Sequence, residues 1–210
     1  MIMCMCRIAV SNWELFKGSH GQGDVETYTD FLAGLAAGDK ACLGENERPD
    51  ILIVREKQLC EMEYLELFVK LWNKAMKIGD GQTRIIPHTY PAAARQSGCG
   101  WIHLPFPLFL EFQQKGILSD LQIGVSIHAL SEAKTAQELG AAYVTAGHIF
   151  ATDCKRGVAP RGLKFLNEVC ESVQIPVYAI GGIHKENLPL IGRSRAAGAC
   201  MMSEYMEHIG

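Results

Sequence analysis

The sequence contains no long run of Lys or Arg, no apolar stretch long enough to cross a bilayer, and no low-complexity segment. Each absence removes a class of function. With 20 Lys and Arg against 23 Asp and Glu, the formal net charge is −3. That balance, without a basic cluster, lacks the electrostatic footprint of a nucleic-acid or anionic-membrane binder, so neither partner is expected. The eight cysteines (Cys4, Cys6, Cys42, Cys60, Cys99, Cys154, Cys170, Cys200) form no paired framework. Cys4 and Cys6 stand too close together for a zinc knuckle and have no matching second pair, so they read as small hydrophobes and no metal site is expected. A reducing cytoplasm is the simplest location. The stretch MIMCMCRIAV is apolar, but Arg7 interrupts it and no small-residue cleavage site follows, the wrong order for a secretory signal.

What is present is an ordinary globular composition, 48% hydrophobic and 20% charged, over 210 residues. That length suits one domain, residues 1–210. Apolar runs rich in β-branched residues recur between helical patterns: Arg7 to Val10, Ile51 to Val54, Arg84 to Ile86, Trp101 to Leu104, Gln122 to Ile127, Tyr143 to Ala146, Pro176 to Ile180 and Ala199 to Met202. Such runs suit parallel strands covered on both faces. Helical spacing marks Val25 to Ala37, Glu61 to Lys77, Leu130 to Leu139, Leu163 to Val173 and Glu186 to Arg195, with weaker signals near Pro91 and Phe109. In the helix at Glu61, the residues Tyr64, Leu65, Phe68, Leu71, Trp72 and Met76 are expected to cover the second strand. Gly38 to Asp50 reads as a polar loop. The segments QSGCGWIHL, QELGAAYVTAG and RAAGACMMS each place a glycine between helix and strand, where a left-handed residue ends a helix.

Strand, helix, strand repetition eight times over predicts an α/β fold, a compact (β/α)8 TIM barrel. Its final helix is expected to be short or missing, since only Glu204 to Gly210 follow the eighth strand. An apolar edge exposed there leaves room for a homo-oligomer.

Active sites of such barrels lie at the C-terminal ends of the strands. In order, those ends carry Asn12, Arg55 with Glu56 and Lys57, His88, His103, His128, His148, Gly181 with Gly182, and Ser203. Loops after strands seven and eight commonly bind phosphate through backbone N–H groups, which points to Gly181, Gly182, Met202 and Ser203. Cations at the end of a buried strand, Arg55 and Lys57, suit an anionic substrate. His103 and His128 read as structural, and Cys154 as no nucleophile, because nothing in the sequence shows a depressed thiol pKa.

The segment TAGHIFATDCKRGVAPRG, from Thr145 to Gly162, resembles the strand-six loop of the TenI proteins, the thiazole tautomerases of the thiamin phosphate synthase superfamily. GVSIHALSEA, IPVYAIGGI and VREK are shared more widely in that superfamily. The resemblance implies an isomerase of thiamin biosynthesis that aromatises a carboxythiazole phosphate by proton transfer, without a redox cofactor. His148 would then be the catalytic acid–base, since imidazole both accepts and donates near neutral pH. Ser126 and Lys155, with Arg55 and Lys57, would face the carboxylate or the rest of the anion. Synthases that the chain resembles carry carboxylates after strands three and four to hold magnesium; here those stretches read IIPHTYP and IHLPFPL. Two alternatives remain: a transferase with thiamin phosphate synthase activity and an altered metal site, and a non-catalytic barrel that binds a phosphorylated ligand.

Overall fold

The computed structural model describes residues 5–21, 23–44, 46–152 and 157–207. Its strands are β1 (Cys6–Val10), β2 (Ile51–Val54), β3 (Arg84–Pro87), β4 (Trp101–Pro105), β5 (Gln122–Ile127), β6 (Tyr143–Gly147), β7 (Val177–Ile180) and β8 (Gly198–Met201). The helices are α1 (Trp13–His20), α2 (Val25–Ala37), α3 (Lys40–Leu43), α4 (Glu61–Ile78), α5 (Pro91–Ser97), α6 (Phe106–Gln114), α7 (Leu130–Glu138), α8 (Gly162–Ser172), α9 (Leu188–Gly192) and α10 (Ser203–Met206). The strands form one eight-stranded sheet in the order β3-β2-β1-β8-β7-β6-β5-β4. Pairs such as β2 with β3 and β6 with β7 run parallel. This is the expected (β/α)8 barrel class, and its final helix is short.

By contact density the chain forms two compact units, residues 1–6 with 101–201 and residues 7–100 with 202–210. In the second unit, Ile51, Leu52, Ile53 and Val54 of β2 are all buried, as a strand covered on both faces requires. Helix α2 starts where the Asp24 side chain accepts from Thr27 N at 2.8 Å, and it ends at Gly38 with φ 83°. At the start of α4 the Glu63 carboxylate accepts from Cys60 N at 2.9 Å. The buried side of α4 is Tyr64, Leu67, Phe68, Leu71 and Ala75. Leu65, Trp72 and Met76, expected on that side, are instead half-buried or exposed. Helix α1 and the short α3 were not apparent from periodicity, and α3 lies inside the expected polar loop. Helix α9 covers only part of Glu186 to Arg195, starting after Asn187 with Pro189 in its first turn.

In the first unit, the interior is shaped by a glycine. A Cβ on Gly124 would lie 2.1 Å from Tyr143 Cζ, so β5 leaves that space to the Tyr143 ring on β6. Tyr143 in turn meets Tyr178 of β7 edge-on at 5.4 Å. The recurring glycines divide by cause. Gly98 (φ 71°) and Gly140 (φ 86°) take the expected left-handed turn. Gly198 does not: it begins β8, and a Cβ there would sit 2.0 Å from the Cys6 carbonyl oxygen, so close backbone approach requires it.

Burial raises the pKa of Tyr28 well above the ordinary value of 10.0, with the Glu56 charge adding to it, and burial does the same for Tyr64. A raised folded pKa keeps its stability below the unfolded pKa and loses it as pH rises, because the unfolded chain ionises first. The urea midpoint should therefore hold to about pH 9 and fall steadily above about pH 10. A midpoint flat through that range would show that these phenols are not buried.

No helix among the described residues is long and apolar enough to cross a membrane. None of the six described cysteines, Cys6 and Cys200 among them, is in a disulfide. Cys4 lies outside the described residues.

Candidate active site

The first unit brings together His148, Gly181 and Gly182. Beyond the ends of β6 and β7 the two chains keep pairing: Ile149 N donates to Ile180 O at 2.9 Å and Phe150 N to Gly181 O at 3.0 Å. Gly181 (φ 100°) and Gly182 (φ 63°) are both left-handed. Added Cβ atoms would meet His148 Cβ at 2.4 Å and the Ala151 carbonyl oxygen at 2.1 Å, respectively, so only glycine fits either position. No described residue accepts from the backbone N–H of Gly181 or Gly182. Successive backbone N–H groups in a turn are a common anion-binding arrangement. Asn187 holds the turn from behind, its Nδ2 donating to Gly182 O at 2.7 Å while its Oδ1 accepts from His184 N at 2.9 Å.

His148 is 5% exposed. Its Nε2 faces Val158 O at 3.3 Å, and a carbonyl only accepts, so Nε2 carries the proton. Nδ1 is buried and has no partner among the described residues. A buried unpaired ring nitrogen costs free energy unless something supplies its bond. His128, next along the same rim, donates through Nδ1 to the Gly147 carbonyl at 3.0 Å, a support for the chain that enters the His148 segment.

Ser126 is half-buried near the end of β5. It takes part in a polar chain that sequence reasoning missed: Thr145 Oγ1 donates to Ser126 Oγ at 3.1 Å, and Ser126 Oγ pairs with His103 Nε2 at 2.8 Å. His103 Nδ1 meets Tyr143 OH at 2.9 Å. His103 is therefore not at a strand end as expected. It lies inside β4, 2% exposed, as its place within the apolar run Trp101 to Leu104 already required.

In the second unit the VREK segment separates into different roles. Arg55 is half-buried, and its N–H donates to Ser11 Oγ at 2.8 Å; Lys57 is exposed in the turn after β2. Glu56 between them is 4% exposed. Its Oε1 accepts from Ser11 Oγ and from Tyr28 OH, and its Oε2 accepts from Trp13 N at 2.9 Å and Gln58 Nε2 at 3.1 Å. A carboxylate with four donors is a satisfied buried charge that ties the start of α1 to the end of β2. Met202 and Ser203 also belong to this unit: Asn12 Nδ2 donates to Met202 Sδ at 3.4 Å, and Ser203 opens α10. Lys155 and Cys154 lie outside the described residues.

The magnesium implied by the resemblance does not fit the residues present. After β3 stands His88, buried, with Nδ1 on Thr89 Oγ1 at 2.5 Å. In the other unit β4 ends on Pro105, and His103 within it is held by hydroxyls. A hard cation needs oxygen ligands, carboxylates foremost, and neither strand end offers one.

The profile of the thiamine monophosphate synthase family matches residues 35–205. The chain belongs to this family. Thiamine-phosphate synthase of Pyrococcus furiosus is 40% identical over 92 residues, which are 44% of each chain. That of Syntrophomonas wolfei is 40% identical over 85 residues, 40% of this chain and 41% of the relative. The matched stretch thus spans less than half the length of these two relatives. Among solved structures, thiamine phosphate pyrophosphorylase from Pyrococcus furiosus superposes with a TM-score of 0.70 at 24% identity, covering 97% of this chain and 88% of that one. At that identity the likeness shows the fold.

These findings correct one expectation. The tautomerase resemblance implied an isomerase, but the relatives of this family member are named synthases. The isomerase reading hung on the resemblance of the Thr145 to Gly162 segment, and with it on one histidine, which by itself does not fix the reaction. An imidazole with one nitrogen on a carbonyl and one nitrogen vacant orients a ligand as readily as it moves a proton.

Proposed function

We propose that this chain is a thiamine-phosphate synthase, a transferase that joins a pyrimidine carried as its diphosphate to a thiazole phosphate. The bond formed is between the thiazole ring nitrogen and the exocyclic methylene carbon of the pyrimidine. The bond broken is that carbon's link to the diphosphate oxygen, and its electron pair leaves on pyrophosphate. The observation that carries the reading is the Gly181–Gly182 turn packed directly on His148, where neither the two glycine N–H groups nor the buried His148 Nδ1 has a partner among the described residues. The turn would take the thiazole phosphate, and His148 would bond and orient the ligand beside it. Remote binding energy of this kind is converted into alignment of the reacting atoms. Ser126 would face the same ligand. Lys155 would supply positive charge to the same ligand.

One observation favours a second reading, a barrel that binds the phosphorylated ligand without turnover: the strand ends that hold magnesium in synthases lack carboxylates here. Incubating the purified protein with both substrates, while measuring thiamin phosphate, pyrophosphate and the affinity for thiazole phosphate, separates the two. The expected result is stoichiometric formation of both products. His148→Ala should lower kcat by about tenfold to a hundredfold while affinity for thiazole phosphate stays within about twofold, and His148→Asn should recover part of the loss. Binding without products would establish the second reading. Neither binding nor products would overturn both.

A further inference from the structure

The buried side of α4 leaves a second apolar row unused. Met62, Leu65, Val69, Trp72 and Met76 follow one another at intervals of three, four, three and four residues. Met62 is 69% exposed and Met76 48%, and the three between them are half-buried. Met62, Leu65 and Val69 line an open groove of about 780 Å³, with Gln96 of α5 also on its wall. An apolar row repeating every three and four residues over two heptads is the seam of a paired helix, since it keeps one line of side chains facing a partner. A surface helix with only its core to cover has no need of it.

Charge along α4 identifies the partner. The first half of α4 carries Glu61, Glu63 and Glu66, and the second half carries Lys70, Lys74 and Lys77. Lys70 and Lys74 are held by Glu26, and Lys74 also by Asp30, all within the unit. Glu61, Glu66 and Lys77 enter no ion pair among the described residues. Two copies of α4 laid antiparallel about a two-fold axis would set the acidic end of each on the basic end of the other. A parallel pair would set like on like. A patch complementary to itself in one orientation only is the requirement for a symmetric dimer. We propose that this face of α4 is the interface of a homodimer, the two α4 helices packing antiparallel along the row from Met62 to Met76. The inference does not depend on the proposed reaction.

Sedimentation equilibrium of the purified chain, loaded from about 1 to 100 μM, tests it. The expected result is a dimer with a dissociation constant below about 10 μM. Met62→Glu with Met76→Glu, both at exposed positions and so compatible with an unchanged far-UV spectrum, should weaken it by more than about a hundredfold. Lys77→Glu alone should weaken it by about fivefold to tenfold, and adding Glu61→Lys and Glu66→Lys in the same chain should restore it. A chain that stays monomeric throughout the range would overturn the proposal and leave the groove to a different partner. A dimer indifferent to the two methionine changes would place the interface elsewhere. A triple charge variant no better than Lys77→Glu would overturn the antiparallel arrangement.

Discussion

Glu56→Ala should lower the unfolding free energy by about 3–5 kcal/mol, the upper end for a substitution that breaks a buried hydrogen-bond network. The size follows from what is left behind. Ser11, Tyr28 and Gln58 each lose an acceptor, and the Trp13 N–H at the start of α1 loses the carboxylate that holds it. Buried donors without acceptors cost about 1–3 kcal/mol each before relaxation, so the local structure should loosen rather than bear the full sum. Glu56→Gln should fall between parent and Ala. Its carbonyl oxygen can still accept from Ser11 and Tyr28, but its amide then faces the N–H of Trp13 and the amide of Gln58, donor against donor. Urea unfolding followed by far-UV circular dichroism measures all three. A Glu56→Ala protein within about 1 kcal/mol of the parent would show that these bonds contribute little.

Gly181→Ala is expected to cost stability and ligand affinity together. Its φ of 100° strains any L side chain, and the new Cβ would stand 2.4 Å from His148 Cβ and 2.7 Å from His148 Cα. Strain of about 1–3 kcal/mol adds to an overpacking cost of similar size, giving about 2–5 kcal/mol in all. Gly140→Ala supplies the control, because Gly140 has a similar φ of 86° but nothing within 4 Å of an added Cβ. It should therefore show the backbone cost alone, about 1–2 kcal/mol. Distorting the turn, whose N–H groups are proposed to take the phosphate, should also reduce affinity for thiazole phosphate by at least about tenfold, which titration calorimetry measures. Equal losses for the two variants, or unaltered affinity in Gly181→Ala, would sink the claim that the turn and His148 form one site.

The strands were legible because each is a short run apolar on both faces, and only a strand covered on both sides reads that way. The apolar runs at Ile51 to Val54 and Gln122 to Ile127 coincide with β2 and β5, and the end of β3 differs only by Pro87. Helices α2 and α4 were legible for a similar reason, since the spacing of their apolar residues is carried within each segment itself. The motif around His148 marked the family by the identity of its neighbours. Its reaction was misjudged, because the type of one side chain leaves open what its nitrogens touch.

Where partners are distant in sequence, the tertiary structure alone decided the outcome. Helix α1 is short and contains Gly18, and its first N–H is satisfied by Glu56, 43 residues away. Nothing local announces that bond. His103 was read as a strand-end residue, but it lies within β4, and its two ring nitrogens find Tyr143 on β6 and Ser126 on β5. Periodicity determined that α4 is a helix with a broad apolar surface. Which apolar residues are buried and which stay exposed depended on where α2 and the sheet lie. A pattern of side chains specifies what a segment can bury, whereas burial itself depends on which surfaces fold against it.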